Sequence, residues 1–483
     1  MLATLSTRSS PGPRRTKIVC TLGPAVDSLE SVQQLMLCGM DVARLNFSHG
    51  THEDQRRRLE WVREAAQNLG KDVAVMQDLC GPKIRLGDLG VGVPVDAGSV
   101  IIFDASIEKV EGGRIPLPVP ELFVALRPGN SLMIDDGNLE FVVQACASGL
   151  ITTVASTKGT LKSRKGVSAP GVHIDVPSLS EKDMDDARFG LSIGVDVIAM
   201  SFVRDPADIY TLRTVTANKV PLIAKIEMAE AVDKLLAIVK VSDAVMVARG
   251  DLGVEMPFEQ LAIVQKEIIA ACNRAGKPVI TATQMLDSMI ERPRPTRAEV
   301  TDIANAVLDG TDALMLSGET SIGAFPFAAV ETMAKVAMAT ESRFDYDAFL
   351  QVAHKQYGRA SLTDAVSDAA TSIAEDMGAV AILCGTSTGG TARAVAKFRP
   401  RARVVALTER LSTARFLSFV RGVETILVAP VSSTDALLKQ AAETAISHGI
   451  AASGDCVVII AGGPVGVTGS TNLIKVHRIG DPI

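Results

Sequence analysis

A chain of 483 residues is too long for one ordinary domain and points to about two to four cores. With 47% hydrophobic and 22% charged residues it has a globular composition, and a net charge of −6 excludes a general nucleic-acid binder, so anions must be bound by local patches. The seven cysteines, Cys20, Cys38, Cys80, Cys146, Cys272, Cys384 and Cys456, are scattered and lack a CxxC pair, which excludes a disulfide framework and a zinc site.

Residues 1–15 are rich in Ser, Pro and Arg and have no apolar segment, which predicts a disordered tail rather than a secretory signal. No run approaches the ~20 apolar residues that span a bilayer, so a cytoplasmic protein without a membrane partner is expected.

From Thr16 onward, short apolar runs alternate with helical patterns, the pattern of βαβ units. Lys17 to Leu22, Asp41 to Phe47 and Val73 to Leu79 are the first three runs. Val195 to Phe202, Pro221 to Glu227, Asp243 to Gly250, Pro278 to Thr283 and Asp312 to Gly318 complete eight. Between the sixth and seventh, Leu261, Val264, Ile268 and Cys272 recur at helical spacing and Gly276 ends the helix. Eight β-then-α repeats predict a (β/α)8 TIM barrel over residues 16–82 and 174–345. Residues 83–173, rich in Val, Gly and Pro, predict an inserted small β-barrel domain carried as a lid on a barrel loop. Residues 346–483, with runs such as AVAILC and CVVIIAG between helical patterns, predict a C-terminal α/β domain.

Working residues of such a barrel sit at the carboxyl ends of its strands. Those ends carry Arg44, Asn46 and Ser48; Asp78; Ser201; Lys225 and Glu227; Arg249 and Asp251; and Thr283. Side chains two apart in a strand share a face, so Lys225 projects with Glu227 and Arg44 with Asn46. Glu227 and Asp251 would offer two carboxylates to a hard divalent ion such as magnesium, with Lys225 beside it. The Gly250-Asp251-Leu252-Gly253 turn would present backbone amides to a carboxylate or phosphate, and Arg44 a planar fork to phosphate. Taken singly, Lys-x-Glu also suits a solvated ion pair, Ser201 and Thr283 also suit helix caps, and His49 also suits a structural role.

The strings TKIVCTLGP, ARLNFSHGTHE, GPKIR, IAKIE, ARGDLGVE, TATQMLDSM and PTRAEVTDIANAVLDGTDALMLSGET resemble, in order and spacing, the pyruvate kinase family. The resemblance implies transfer of a phosphoryl group from phosphoenolpyruvate to ADP, giving pyruvate and ATP at the last step of glycolysis. It implies that Arg44 holds the substrate phosphate, that Lys225 stabilises the phosphoryl group in flight, and that Glu227 and Asp251 hold magnesium, with manganese as a substitute. Gly250, Asp251 and Thr283 would take the carboxylate end. Asn46, Phe47, Ser48, His49, Arg85 and the lid residue Lys165 match positions that contact nucleotide phosphates. Thr283 with water is a candidate relay to the enolate, and the sequence leaves the proton donor open. Met228 and Leu79-Cys80 depart from the family pattern without removing a charged group. A metal-dependent lyase or aldolase of a pyruvate-like acid is the alternative reading, with a sugar-phosphate sensor as a third.

In the C-terminal region, Thr386, Ser387, Thr388, Gly389, Gly390 and Thr391 lie between a strand and a helix, a pattern that suits a phosphate cradle or a capped turn. The resemblance favours an effector, either a phosphorylated sugar or a nucleotide monophosphate, with Gly462 to Asn472 as a second wall, and a homotetramer. Many relatives carry GPEIR where this chain has GPKIR, and their pocket matching Asn46, Ser48, Asp78 and Leu79 holds potassium. Lys83 therefore reads as a tethered monovalent cation directed back toward Asp78, with potassium not required; pairing with a lid-hinge carboxylate is the alternative.

Overall fold

The computed structural model describes residues 14–356, 361–463 and 471–482. Eight parallel strands close into a barrel: Lys17–Thr21, Val42–Asn46, Ala74–Asp78, Val197–Met200, Leu222–Ile226, Ala244–Ala248, Val279–Ala282 and Ala313–Leu316. The first and last strands seal the ring, with Lys17 registered on Ala313 and Cys20 on Leu316. Both faces of each strand are buried, which explains the continuous apolar runs of the sequence. Val19, Met76, Ile223, Met246 and Met315 fill the interior, whereas Ile18, Leu45, Val75, Ile226 and Leu316 face the surrounding helices. Phe416 and Phe419, from the C-terminal region, join the interior cluster and so anchor that region to the barrel.

Helix starts obey local chemistry. Thr51, Ser180 and Thr296 each accept a backbone N–H three residues on, and Asp54, Asp183 and Glu299 answer through the cap N–H. Loss of such a cap costs about 1 kcal/mol. Asp183 also accepts the Gly81 amide at 3.0 Å, so this cap fixes the turn that leaves the third strand. The helix Leu261–Ala275 ends where expected, with Gly276 left-handed at φ 63°.

The insertion between the third and fourth barrel strands folds around a core of its own that includes Phe103, Phe141, Leu132 and Ile151. Its strands pair as a six-stranded sheet and a separate two-stranded ladder, Val93–Val95 with Gly159–Leu161, rather than in one ring. Phe103 meets Phe141 edge-on at 5.6 Å. The insertion leans on the barrel mouth, where its side chains Met133 and Asp136 and the barrel's Val254 and Glu255 share a cleft of about 780 Å³.

The C-terminal region has four parallel strands, Ala381–Gly385, Arg403–Thr408, Val423–Leu427 and Cys456–Gly462. A fifth, Thr471–Arg478, runs antiparallel along the last and has no counterpart in the sequence reading. Arg14 and Arg15, assigned to the tail from composition, are held in place: Arg14 pairs with Asp41 at 2.8 Å and the Arg15 amide donates to Glu341 at 2.8 Å. Residues 1–13 of that tail lie outside the described residues. Among the described residues no helix is long and apolar enough to cross a membrane.

Candidate active site

The polar strand ends converge at one mouth. Asp78 closes the third strand, Lys225 lies one residue before the end of the fifth, Glu227 just beyond it, and Arg249 and Thr283 directly follow the sixth and seventh. The Lys225 ammonium stands 3.0 Å from Asp78, 2.9 Å from Glu227 and 2.6 Å from the Ser201 hydroxyl. Ser201 accepts that bond and donates its own hydroxyl to the Leu79 carbonyl at 2.7 Å, so it braces the Lys225 ammonium rather than capping a helix. Arg44 reaches Asp78 at 2.7 Å and Thr21 at 2.9 Å.

These charges are shielded from solvent, since Asp78 and Glu227 are each 1% exposed. Burial by itself would lower the Lys225 ammonium, but Asp78 and Glu227 outweigh it and hold its pKa above the ordinary range. Burial likewise opposes ionisation of Asp78, and Lys225 with Arg44 overcomes it, leaving that carboxyl below its usual range. Glu227 goes the other way: burial raises it, Lys225 opposes, and the neighbouring Asp251 raises it further.

Glu227 accepts the Phe202 amide at 2.7 Å, and Phe202 adopts φ 53° to deliver it. A side chain at Gly81 would come within 2.6 Å of the Phe202 ring, and Gly81 itself has φ 71°, so only glycine fits this turn. The turn that follows the third strand is thus packed against the backbone that orients Glu227.

Glu227 and Asp251 suit a hard divalent ion, because the charge of Asp251 presses on the buried Glu227 carboxyl and a cation between them would relieve it. Among the described residues no three His, Cys, Asp or Glu side chains form a metal cage. An ion here would therefore take its remaining ligands from substrate oxygens and water, as magnesium does.

Other expected residues lie differently from the sequence reading. Lys83 does not turn back to Asp78: its ammonium meets Asp251 at 3.3 Å, and its stem runs along Gly166, where an added Cβ would lie 3.0 Å from it. Asp78 is met by Arg44 and Lys225 instead. The Gly250 amide, expected to be open to a ligand, donates to the Thr283 hydroxyl at 2.7 Å. Phe47 is buried, with its ring 6.3 Å from Phe189, so only its backbone can face a nucleotide. Asn46 accepts the Ser48 amide at 3.1 Å, and Gln55 ties the Asn46 and His49 carbonyls at 3.1 and 2.7 Å. Partial burial and the cations Arg85, Arg44 and Lys83 push His49 below its ordinary value, so positive charge converges at this rim. On the insertion, Lys165 pairs with Asp135 at 2.7 Å and Arg85 donates to the Arg164 carbonyl at 3.1 Å.

Arg249, placed at the mouth by the sequence but given no role there, turns out to position its neighbours. Its Nη1 lies 2.8 and 2.7 Å from the two Asp302 oxygens, and its Nη2 donates to the Thr283 carbonyl at 2.7 Å. Its place directly before Gly250 and Asp251 was the available signal.

The chain resembles known proteins over nearly its whole length. The family profile described as "Pyruvate kinase, barrel domain" matches residues 13–330, and that described as "Pyruvate kinase, alpha/beta domain" matches residues 364–477. The chain belongs to the pyruvate kinase family. A pyruvate kinase of Sporosarcina psychrophila is 44% identical over 97% of this chain and 81% of its own length. One from Geobacillus stearothermophilus is also 44% identical, with the same coverage. The crystal structure of a pyruvate kinase from Cryptosporidium parvum superposes with a TM-score of 0.90 at 38% identity, covering 96% of both chains. The lyase or aldolase alternative finds no support among these pyruvate kinases.

In the C-terminal region, the loop after Ala381–Gly385 is partly committed. Ser387 donates to Glu409 at 2.6 Å, and Thr391 is buried against the Thr471 hydroxyl at 2.8 Å. Thr386 is held by its amide on the Leu407 carbonyl at 3.0 Å, and Gly389 takes φ 79° before the helix Gly390–Ala396. Of the expected second wall, residues 464–470 lie outside the described residues.

Proposed function

We propose that the chain transfers the phosphoryl group of phosphoenolpyruvate to ADP, with Lys225 as the residue that accompanies it. The observation that carries this reading is the Lys225 ammonium held by Asp78, Glu227 and Ser201 at the barrel mouth. Phosphoryl transfer has a loose transition state, so the protein contributes mainly position and charge. Three cations, Arg44, Lys225 and Lys83, stand against three carboxylates, Asp78, Glu227 and Asp251. These paired groups make the mouth rich in preorganised charge.

Arg44 binds the transferring phosphate, Lys225 stabilises its oxygens, and Thr283 orients the carboxylate end of the substrate. Asn46, Ser48, His49, Arg85 and Lys165 hold the nucleotide phosphates, and the insertion excludes water when it closes. Magnesium held by Glu227 and Asp251 would screen the phosphoryl oxygens and polarise them. Potassium is dispensable in this reading, because Lys83 brings a fixed positive charge to the mouth, at Asp251 rather than in the pocket beside Asp78. The Thr386–Thr391 loop takes a monophosphorylated effector, with Arg410 as the nearby cation, paired with the Glu409 that Ser387 contacts, and the protein works as a cytoplasmic homotetramer.

A coupled assay for pyruvate from phosphoenolpyruvate and ADP with magnesium tests the reaction. Turnover dependent on all three components is expected; pyruvate formation that does not need ADP would overturn it.

A further inference from the structure

We infer that the cleft on the underside of the barrel, between the end of the helix Leu261–Ala275 and the helix Gly390–Ala396, is a binding site for one small tetrahedral oxyanion. The cleft is small, with about 260 Å³ of non-atom space that includes its opening to solvent. Anything bound there is limited to one small group.

Its lining is electrostatically one-sided. Lys277, Arg393, Lys397 and Arg399 bring four cations to the cleft and Asp312 one carboxylate. Asp312 is buried and already accepts the amides of Val279 and Arg421 at 3.0 and 3.2 Å. Lys397 is paired with Asp364, and Arg399 donates to the Gly310 carbonyl. Among the described residues neither Lys277 nor Arg393 forms an ion pair. Lys277 donates to a neutral acceptor, the Ser242 carbonyl, at 2.7 Å. Arg393 lies over the Phe416 ring at 5.6 Å, and its buried Nε has no hydrogen-bond partner among the described residues. Asp243, whose charge acts on both, is already engaged by Arg213 at 2.9 Å.

Two half-buried like charges, neither of which has an ion pair among the described residues, are costly to hold together. Burial first, and Arg393 second, push the Lys277 ammonium below its ordinary value, as expected for neighbours that repel. An oxyanion between them would accept from Lys277 and from the unpartnered Arg393 Nε, and would turn the repulsion into two charge-assisted bonds. Arg393 sits on the helix that begins at the Thr386–Thr391 loop, whereas Lys277 leads into the seventh barrel strand, so the bound anion would tie the C-terminal region to the barrel.

The test is thermal unfolding of the full chain as inorganic phosphate replaces chloride at constant ionic strength, for the natural chain and for Arg393→Gln. Saturating phosphate is expected to raise the melting temperature of the natural chain by about 2 °C or more. Phosphate bound at the barrel mouth would contribute equally to both proteins, so the informative quantity is their difference. Arg393→Gln should lose at least half of the rise, keep its turnover, and melt no lower than the natural chain without phosphate, because the repulsion with Lys277 is gone. Lys277→Gln should behave the same way, and serves if Arg393→Gln does not fold. Equal phosphate-dependent rises in the natural and variant proteins would overturn the site, as would a variant destabilised only in phosphate-free buffer. A hexose monophosphate in the same titration distinguishes sources: an equal half-saturating concentration marks a free oxyanion, and a lower one the phosphate end of an ester.

Discussion

Arg249 holds the Thr283 carbonyl oxygen at 2.7 Å while Thr283 occupies φ 68°, a left-handed conformation unfavourable for a β-branched residue. Gln284 follows at φ 53°, and Arg249 reaches its carbonyl too, at 3.3 Å. Such strain costs about 1–3 kcal/mol and persists only where the surroundings over-determine it. One guanidinium spanning Asp302, Thr283 and Gln284 provides that constraint, and it aims the Thr283 hydroxyl at the Gly250 amide. Arg249→Lys keeps the charge but loses the planar fork. Turnover should fall roughly 10²-fold, the scale of a misplacement of about 1 Å. The fold, followed by circular dichroism, should remain, and steady-state kinetics should show the loss in kcat more than in KM. A variant with normal kcat would remove Arg249 from the machinery.

Lys225→Met removes the ammonium that Asp78, Glu227 and Ser201 hold. Loss of one preorganised charge-stabilising group costs about 10²–10³ in turnover, and here a value at or beyond the upper end is expected, since two buried carboxylates are also left facing each other. Stopped-time assays at saturating magnesium measure it; near-normal turnover refutes the assignment.

Glu227→Gln keeps the shape of the side chain and deletes its charge next to Asp251. The magnesium concentration for half-maximal activity should rise at least tenfold, with manganese following the same order. An unchanged metal titration would show that Glu227 is not a ligand.

Lys83→Glu replaces the partner of Asp251 with a like charge. The natural chain should be equally active with and without potassium, whereas the variant should need potassium for most of its rate. Strong potassium activation of the natural chain would show that the Lys83 ammonium does not serve in place of the ion.

Glu255 lies in the cleft between insertion and barrel, where burial pushes its carboxyl up to about 7, a hydrogen bond from Ser168 opposes this, and Asp251 and Glu230 add to it. The folded protein therefore prefers the protonated acid. Its contribution to stability is fully present below about 4.5, the unfolded value, and is lost as pH rises through about 7. Glu255→Gln should flatten the melting temperature across that window; an undiminished slope would place the titration elsewhere.

What the sequence alone determined was local. Apolar runs that end in one or two polar residues can hardly be anything but strands buried on both faces with functional ends, so the barrel, and Arg44, Asp78, Lys225, Glu227 and Asp251 at its mouth, were legible from spacing. Helix ends were legible too, because a cap such as Ser180–Asp183 or Gly276 acts within four residues. Pairings between distant segments were not. Lys83 turned to Asp251, 168 residues away, because the stem direction past Gly166 is set by how the insertion leans on the barrel. The need for glycine at position 81 became visible only once Phe202 was packed over it, and the role of Arg249 only once the seventh strand delivered the Thr283 and Gln284 carbonyls to it. Likewise, the fifth C-terminal strand has no strong apolar run of its own, and Thr471–Arg478 is a strand because its neighbour Cys456–Gly462 offers an open edge. Composition and spacing fix which groups a chain carries and on which face of an element they stand, whereas which opposite charge they meet depends on distances that exist only after the elements have packed.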